Sequence, residues 1–372
     1  MSSERSQWDA GKFLTTLSYF GEVPFLGSIR WMQQLLGQNP TVPGMTLSAT
    51  RKAIVIDSRT ASRFERLGQL LSPALDLIFY ASDADLAERG DRPLPSESSE
   101  LMQLVQSVDT VIVSEVPDLS DWLTGLAASL GQSANAVRQS VFDFSSPGVA
   151  AVWGTLDDVV MGGVSQGNLF LREQSVQGQP VQTQAVFAGN VSTDNSGGFS
   201  SVRTKNFDPP FNFTGWQGVR LRVKGDGQRY KFILRNSDGW DSPAYIYSFD
   251  TVADTWVSVD IPFAEMVPTF RARSVSDAPP FNPARVFSFQ LMLSKFEYDQ
   301  RLNPHFAAGP FELSVSDISV QRSRQGMPLV VVASSDEDTR SYQESILKAA
   351  QIEYRWIELG TNIEDEIAAA LL

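Results

Sequence analysis

The hydrophobic pattern of the chain changes twice, and this change constrains the fold more than any other feature. Residues 51–140 alternate short apolar runs with segments of helical spacing, a pattern typical of a parallel sheet with helices on its faces. Residues 141–321 carry many short alternating runs between Gly, Asn, Asp and Pro residues, which predicts an all-β sandwich or jelly roll. From residue 327 onward the first pattern returns, as strand, helix and strand.

The two flanking stretches are predicted to form one sheet, because the C-terminal stretch is too short to bury a core of its own. An insertion is tolerated where its two ends lie close together. The sequence therefore predicts a multidomain chain, with an all-β jelly-roll sandwich inserted into a small α/β Rossmann-like parallel sheet. The predicted segments are 1–50 for an N-terminal amphipathic helical segment and its linker, 51–140 and 325–372 for the two parts of the Rossmann-like domain, and 141–324 for the sandwich.

Composition excludes several kinds of site. The 372 residues include no cysteine and one histidine, His305, which rules out disulfides, thiol nucleophiles, thiolate zinc sites and zinc held by several histidines. A serine triad would have to use His305, and we do not expect one, because a triad is defined by geometry that no pattern here supplies. Acidic residues outnumber basic ones by 43 to 30, which argues against a broad nucleic-acid-binding face.

Residues 13–36 form the most apolar stretch near either end, but Glu22 and Arg30 interrupt it, so it does not reach the length of a membrane-spanning helix. It is either a helix docked on the core of the protein itself or an apolar wedge lying on a membrane or a membrane-protein partner. We favour the wedge. The residues expected to contact the partner are Phe20, Phe25, Leu26, Ile29, Trp31 and Met32. No secretory signal pattern is present, so we expect a peripheral location on the cytoplasmic, or stromal-equivalent, face of a membrane.

Short motifs in the sandwich region occur in a recognisable order. Trp153 is followed by DDVVMGGVS at residues 157–165, and later come NSGGF at 195–199 and KGDG at 224–227. The residues that define these motifs are Trp153, Asp157, Asp158, Met161, Gly162, Gly163, Gly197, Gly198, Phe199, Gly225, Asp226 and Gly227. The region resembles the complex I intermediate-associated protein domain, a jelly roll of the galactose-binding-like type. This resemblance implies an assembly or maturation factor for a large membrane complex.

The flanking stretches resemble a split, atypical short-chain dehydrogenase/reductase domain, as in similar proteins of photosynthetic membranes that are implicated in photosystem II biogenesis. Two features depart from that pattern. Residues 57–63, DSRTASR, contain no glycine, although a dinucleotide site needs glycines there for the pyrophosphate to approach the backbone. Tyr342 is followed four positions later by Ile346 rather than lysine. We therefore predict a degenerate scaffold with no catalytic, cofactor-binding or metal-binding residue, and interpret Arg59 and Arg63 as solvated surface residues.

Two polar segments of the sandwich leave alternatives open. Asp157 and Asp158 beside a glycine turn could bind calcium, but a tight turn in which aspartate caps backbone amides is the simpler interpretation. The second segment contains Arg235, Trp240 and Tyr245. Its aromatic residues could stack on a sugar, anchor a protein partner or pack in the core, and we favour protein docking.

Taken together, these patterns predict a non-catalytic assembly or biogenesis factor. Its partners would be protein subunits or assembly intermediates of a membrane-bound photosynthetic or respiratory complex, such as a photosystem or an NADH dehydrogenase-like complex. Two alternatives stay open, because a fold does not by itself define a function. One is an atypical reductase that binds NAD(P), and the other is a carbohydrate-binding module.

Overall fold

The computed structural model describes most of the chain after residue 50. The described residues are 11, 16, 51–57, 64–71, 75–81, 92–93, 100, 104–114, 119–130, 136–144, 147–174, 182–239, 242–270, 272–323, 328–334, 337–360 and 362–371. One compact unit contains residues 140–320, and a second contains residues 48–139 and 321–372. The predicted N-terminal helical segment lies outside the described residues apart from residues 11 and 16. The same holds for the residues expected there to contact a partner, which are Phe20, Phe25, Leu26, Ile29, Trp31 and Met32.

The described strands and helices are numbered in chain order. The strands are β1 (Arg51–Asp57), β2 (Leu75–Ala81), β3 (Arg92–Pro93), β4 (Thr110–Ser114), β5 (Ala136–Phe142), β6 (Trp153–Thr155), β7 (Gln166–Gln174), β8 (Gln182–Val191), β9 (Phe199–Thr204), β10 (Gly218–Lys224), β11 (Arg229–Arg235), β12 (Ala244–Asp250), β13 (Trp256–Pro262), β14 (Val267–Phe270), β15 (Arg273–Ser274), β16 (Ser288–Ser294), β17 (Gly309–Ser323), β18 (Val330–Ser334) and β19 (Tyr354–Glu358). The helices are α1 (Glu65–Leu71), α2 (Leu119–Leu130), α3 (Glu337–Ala349) and α4 (Ile363–Leu371).

The second unit is built on a sheet of six parallel strands in the order β19-β18-β4-β1-β2-β3. Its strands come from both sides of the 140–320 segment in sequence. Alternate residues of β1 enter different cores, with Ile54 and Ile56 packing beside Leu123 of α2 and Leu347 of α3. Ala53 and Val55 pack instead with residues of α1 and α4. Helices thus cover both faces, which explains why β4 and β18 are apolar and buried along their whole length.

The 140–320 unit is an antiparallel β-sandwich. One sheet has the order β13-β10-β17-β8-β7, with β5 also paired to β17, and the other has the order β15-β14-β12-β11-β16-β9-β6. Aromatic side chains fill the space between them. Phe289 is the centre of this core, with its ring centroid 4.9 Å from that of Phe142 and 5.5 Å from that of Phe211, both in edge-to-face geometry. The all-β prediction for this segment is confirmed.

No helix within the described ranges combines the length and the apolar character that a bilayer crossing requires.

Candidate functional site

Five loops that carry the chain from one sheet to the other meet at one end of the sandwich. They are residues 156–165, 192–198, 225–228, 251–255 and 295–308. Strand register places them together. The pairs that show this are Gln166 with Asn190, Phe199 with Ser294 and Arg229 with Asp250. The aspartates and glycines of the sequence motifs all lie in these loops, and we therefore call this surface the motif end.

Asp158 joins two of these loops through its buried carboxylate, which is 2% exposed. Its Oδ1 accepts a hydrogen bond from the backbone N–H of Ser165 at 2.9 Å. Its Oδ2 accepts from the Ser165 hydroxyl at 2.7 Å and from the backbone N–H groups of Gly198 and Phe199 at 2.7 and 3.2 Å. One side chain therefore satisfies donors that lie more than 30 residues apart in sequence, and it holds loop 156–165 against loop 192–198.

Asp157 ties the same turn to the adjacent strands. Its Oδ1 accepts from the Ser200 hydroxyl at 2.7 Å and from the Ser201 N–H at 3.1 Å, and its Oδ2 accepts from the Gly167 N–H at 2.9 Å. Burial is the main cause that raises the pKa of Asp157 from 3.8 to about 6, while these hydrogen bonds oppose the shift. Both carboxylates are engaged by protein donors, and the described residues contain no cluster of three or more His, Cys, Asp or Glu suited to a metal ion.

The raised pKa of Asp157 predicts that stability falls as pH rises. Between about pH 4 and pH 6, the folded state keeps a proton on Asp157 that the unfolded chain has released, so this contribution to stability is lost as pH rises through the folded pKa. We expect the free energy of unfolding of wild type, measured with urea and compared with that of Asp157→Asn at the same pH, to fall by about 1.3 kcal/mol between about pH 5 and pH 7. A carboxyl ¹³C NMR titration that places the midpoint of Asp157 near 4 would contradict this prediction.

Glycines make room for the buried carboxylate of Asp158. A Cβ atom on Gly163 would lie 2.4 Å from Cγ of Asp158, and a Cβ atom on Gly197 would lie 2.5 Å from its Oδ2. Gly162 ends the short helical turn Asp158–Met161 with a φ of 91°, a conformation that glycine adopts without steric cost. The turn thus holds Met161 at its tip, and the Met161 side chain is 79% exposed.

Asp226 and Asn303 hold two further loops of the motif end against the adjacent strands. Oδ2 of Asp226 accepts from the Tyr230 hydroxyl at 3.0 Å and from the Glu312 N–H at 3.2 Å. The Asn303 amide donates to the backbone oxygens of Arg229 and Ser294, both at 2.9 Å. The sequence did not predict the role of Asn303, since its only local signal is the turn-forming Asn-Pro pair.

Three apolar side chains project from the motif end. Met161 is 79% exposed, Leu302 is 74% exposed and Val252 is 56% exposed. Met161 was part of the motifs, whereas Val252 and Leu302 had no sequence signal, since an isolated apolar residue in a loop can be buried or exposed. The motif end is therefore a polar, hydrogen-bonded framework that presents three apolar side chains to solvent.

Residues 142–315 match the family described as Complex I intermediate-associated protein 30 (CIA30). The matched residues include the loops of the motif end, so the match supports the resemblance that the motifs indicated for this region. The chain is also 28% identical over 200 residues to a Schizosaccharomyces pombe protein described as uncharacterized, an alignment that covers 51% of this chain and 85% of that protein.

Solved structures similar to this chain include carbohydrate-binding modules and glycoside hydrolases. The family 11 carbohydrate-binding module of a Clostridium thermocellum cellulosomal cellulase is 12% identical, covers 49% of this chain and 93% of its own, and has a TM-score of 0.34. The family 29 module from Piromyces equi is 12% identical, covers 50% of this chain and 90% of its own, and has a TM-score of 0.21.

The other residues predicted to bind a partner are not gathered at the motif end. Arg235 ends β11, and Tyr245 pairs with the preceding residue, Leu234, at the end of the sandwich opposite the motif end. Tyr245 is buried, its hydroxyl donates to the Pro279 oxygen at 2.8 Å, and its ring packs edge-to-face on Phe281. The packing alternative therefore describes Tyr245. Trp240 lies outside the described residues, and Trp153 is a core residue beside Phe142.

The positions compared with the reductase pattern lie in the α/β unit. Tyr342 is 60% exposed, and Ile346, at the position where reductases carry lysine, packs against the core between α3 and the sheet. Arg59 and Arg63 lie outside the described residues. A cavity of about 310 Å³ is lined by Pro328, Ile352, Glu353, Tyr354, Arg355 and Ala370. It adjoins the amino ends of β18 and β19, whereas ligands of parallel α/β sheets bind at the carboxyl ends.

Proposed function

We propose that the chain is a non-catalytic assembly or biogenesis factor that binds subunits or assembly intermediates of a membrane-bound respiratory or photosynthetic complex. The observation that carries this proposal is the CIA30 match over residues 142–315, a family associated with intermediates of complex I. The motif residues support it, because Asp157 and Asp158 accept hydrogen bonds from backbone N–H groups and serine hydroxyls instead of facing a substrate cleft. Such a framework shapes a contact surface.

The α/β unit serves in this proposal as a Rossmann-like scaffold that holds no nicotinamide. Its strand order has β1 and β4 adjacent at the centre, where a doubly wound sheet would place a dinucleotide. The absence of glycine from residues 57–63 and of a lysine four positions after Tyr342 supports loss of that activity. The partner complex would be a photosystem or an NADH dehydrogenase-like complex, contacted at the cytoplasmic, or stromal-equivalent, face of a thylakoid or comparable membrane.

Purification of the tagged full-length chain from detergent-solubilised membranes of its native host tests the function. We expect subunits of one membrane complex to co-purify in a fixed ratio to the chain. Tagged chain added only after solubilisation is the control for adventitious capture. Recovery of the free monomer alone would contradict the proposal. So would a saturable fluorescence-transfer signal from the eight tryptophans to NADPH at micromolar concentration, because the scaffold would then hold a cofactor.

A further inference from the structure

The exposed apolar side chains of the sandwich are concentrated at one place. Among its described residues, the large apolar side chains classed as exposed are Met161, Phe170, Val252 and Leu302. The three that are more than half exposed all lie at the motif end, on three different loops, whereas Phe170 lies within β7 and is 40% exposed. Single exposed apolar residues need no explanation, but a group of them on one surface indicates an interaction site.

Hydrogen bonds connect the loops of the motif end to one another. The Lys295 N–H donates to the Gly198 oxygen at 2.8 Å and so joins loop 295–308 to loop 192–198. Within loop 295–308, the Asn303 N–H donates to the Lys295 oxygen at 2.9 Å. The Ala307 N–H donates to Oε1 of Gln228 at 2.8 Å. The Asp254 N–H donates to the Gly225 oxygen at 3.0 Å. A surface ordered before binding loses little conformational entropy when a partner docks, so this end is preorganised for contact.

Backbone strain is concentrated in the same loops. Three residues other than glycine have a left-handed backbone at the motif end, namely Asn195, Ser196 and Asp254, with φ between 52° and 64°. Each such residue costs about 1 kcal/mol relative to a right-handed conformation. Strain of this kind persists where the surrounding structure enforces it, and it is common at binding sites.

The charge of the motif end indicates the chemistry of its partner. Asp194 and Asp254 are exposed there, and Asp226 and Glu297 are half-buried. The basic side chains are the exposed Arg301 and the half-buried Lys295. The whole chain has a net charge of −13. A surface that is acidic and apolar attracts a segment carrying Lys or Arg among apolar residues, and it repels anionic lipid and nucleic acid.

The size of the surface fits one segment of chain. Strands β6 and β12, which border the loops of Met161 and Val252, are separated by four strand spacings across β9, β16 and β11, or about 19 Å. This width accommodates a single helix of about 10 Å diameter. Segments that border membrane-spanning helices on the cytoplasmic side are rich in Lys and Arg beside apolar residues.

We propose that the motif end is the docking surface for one such Lys/Arg-bearing apolar segment of a membrane-complex subunit, with Met161, Val252 and Leu302 as its apolar contacts. The inference rests on the proposed function and adds the surface and the chemistry of the partner. Because the three side chains are exposed, replacing them leaves the core of the sandwich intact.

The test compares the triple variant Met161→Ser, Val252→Ser, Leu302→Ser with Phe170→Ser, a matched control at an exposed apolar residue outside the motif end. Each full-length chain is tagged and purified from detergent-solubilised membranes, and its thermal unfolding is measured. We expect Phe170→Ser to recover the subunits that wild type recovers. We expect the triple variant to recover at least tenfold less while keeping the melting temperature of wild type. The charge variant Asp194→Lys, Asp254→Lys should reduce recovery several-fold, and more strongly at low salt.

The outcomes separate this inference from the proposed function. If the triple variant recovers subunits as wild type does, the motif end is not the docking surface although the assembly function stands. If wild type itself recovers no subunit, the function fails and the inference fails with it. If wild type instead binds phosphatidylglycerol vesicles, and the triple variant does not, the surface contacts lipid and the chemistry proposed for its partner is wrong.

Discussion

Replacing Asp158 with alanine is expected to destabilise the sandwich by about 3–5 kcal/mol. The carboxylate accepts three backbone N–H groups, those of Ser165, Gly198 and Phe199, together with the Ser165 hydroxyl. Its removal leaves these buried donors without an acceptor, and each unsatisfied buried group costs about 1–3 kcal/mol. Because Asp158 joins loop 156–165 to loop 192–198, both loops should lose order in the variant.

Urea unfolding, followed by near-ultraviolet circular dichroism, measures this loss. Asp194→Ala is the matched control, because Asp194 is an exposed aspartate in the adjoining loop and should change stability by no more than about 0.5 kcal/mol. Amide hydrogen exchange at Ser165, Gly198 and Phe199 locates the effect. A loss below 1 kcal/mol, or equal effects of the two substitutions, would show that Asp158 does not hold the loops together.

Asp109→Leu is expected to destabilise the α/β unit by about 3–5 kcal/mol. Oδ2 of Asp109 lies 2.7 Å from Nη2 of Arg322, and the two side chains are 2% and 6% exposed. The same oxygen accepts the backbone N–H of Lys52 at 2.9 Å. In Asp109→Leu, the buried guanidinium of Arg322 stays charged but loses the carboxylate that compensates for its lost hydration. The single substitution therefore lowers the free energy of unfolding.

A double-mutant cycle tests this explanation. Asp109→Leu with Arg322→Met removes both charges and should recover most of the lost stability, because an apolar pair of similar volume has no buried charge to compensate. The exposed pair Arg66 and Asp365, with side chains 59% and 43% exposed, is the control, and Asp365→Ala should cost less than about 1 kcal/mol. If the double variant is as unstable as Asp109→Leu, the uncompensated charge is not the cause.

Much of the fold follows from local pattern. The apolar runs TVIVS and VVVAS form β4 and β18, because a strand buried on both faces tolerates few polar residues. Alternation in GVRLRVK predicts β10, whose buried Val219, Leu221 and Val223 share one face. The expectation that aspartates beside the glycine turn cap backbone amides also came from local pattern, and Asp158 makes these bonds.

Other features of the candidate site depend on residues far apart in sequence. Tyr245 is an aromatic residue of the kind that often contacts a protein partner, but it packs on Phe281, because the strand register turns its ring inward. Val252 and Leu302 gave no signal, since their exposure depends on what the other loops leave uncovered. The side-chain amide of Asn303 donates a hydrogen bond to the backbone oxygen of Arg229, 74 residues away in sequence, and no local pattern predicts such a contact.

The sequence by itself determined the kind of the longer elements among the described residues, the division between parallel and antiparallel segments, and the motif glycines and aspartates, because periodicity and steric freedom act over a few neighbouring residues. Only the tertiary structure decided that these aspartates and glycines share one end of the sandwich, that Met161, Val252 and Leu302 project from it, and that Asp109 and Arg322 meet in the core. The physical reason is that strand pairing brings together residues separated by tens to hundreds of positions, and contacts at that distance, not local pattern, make a surface.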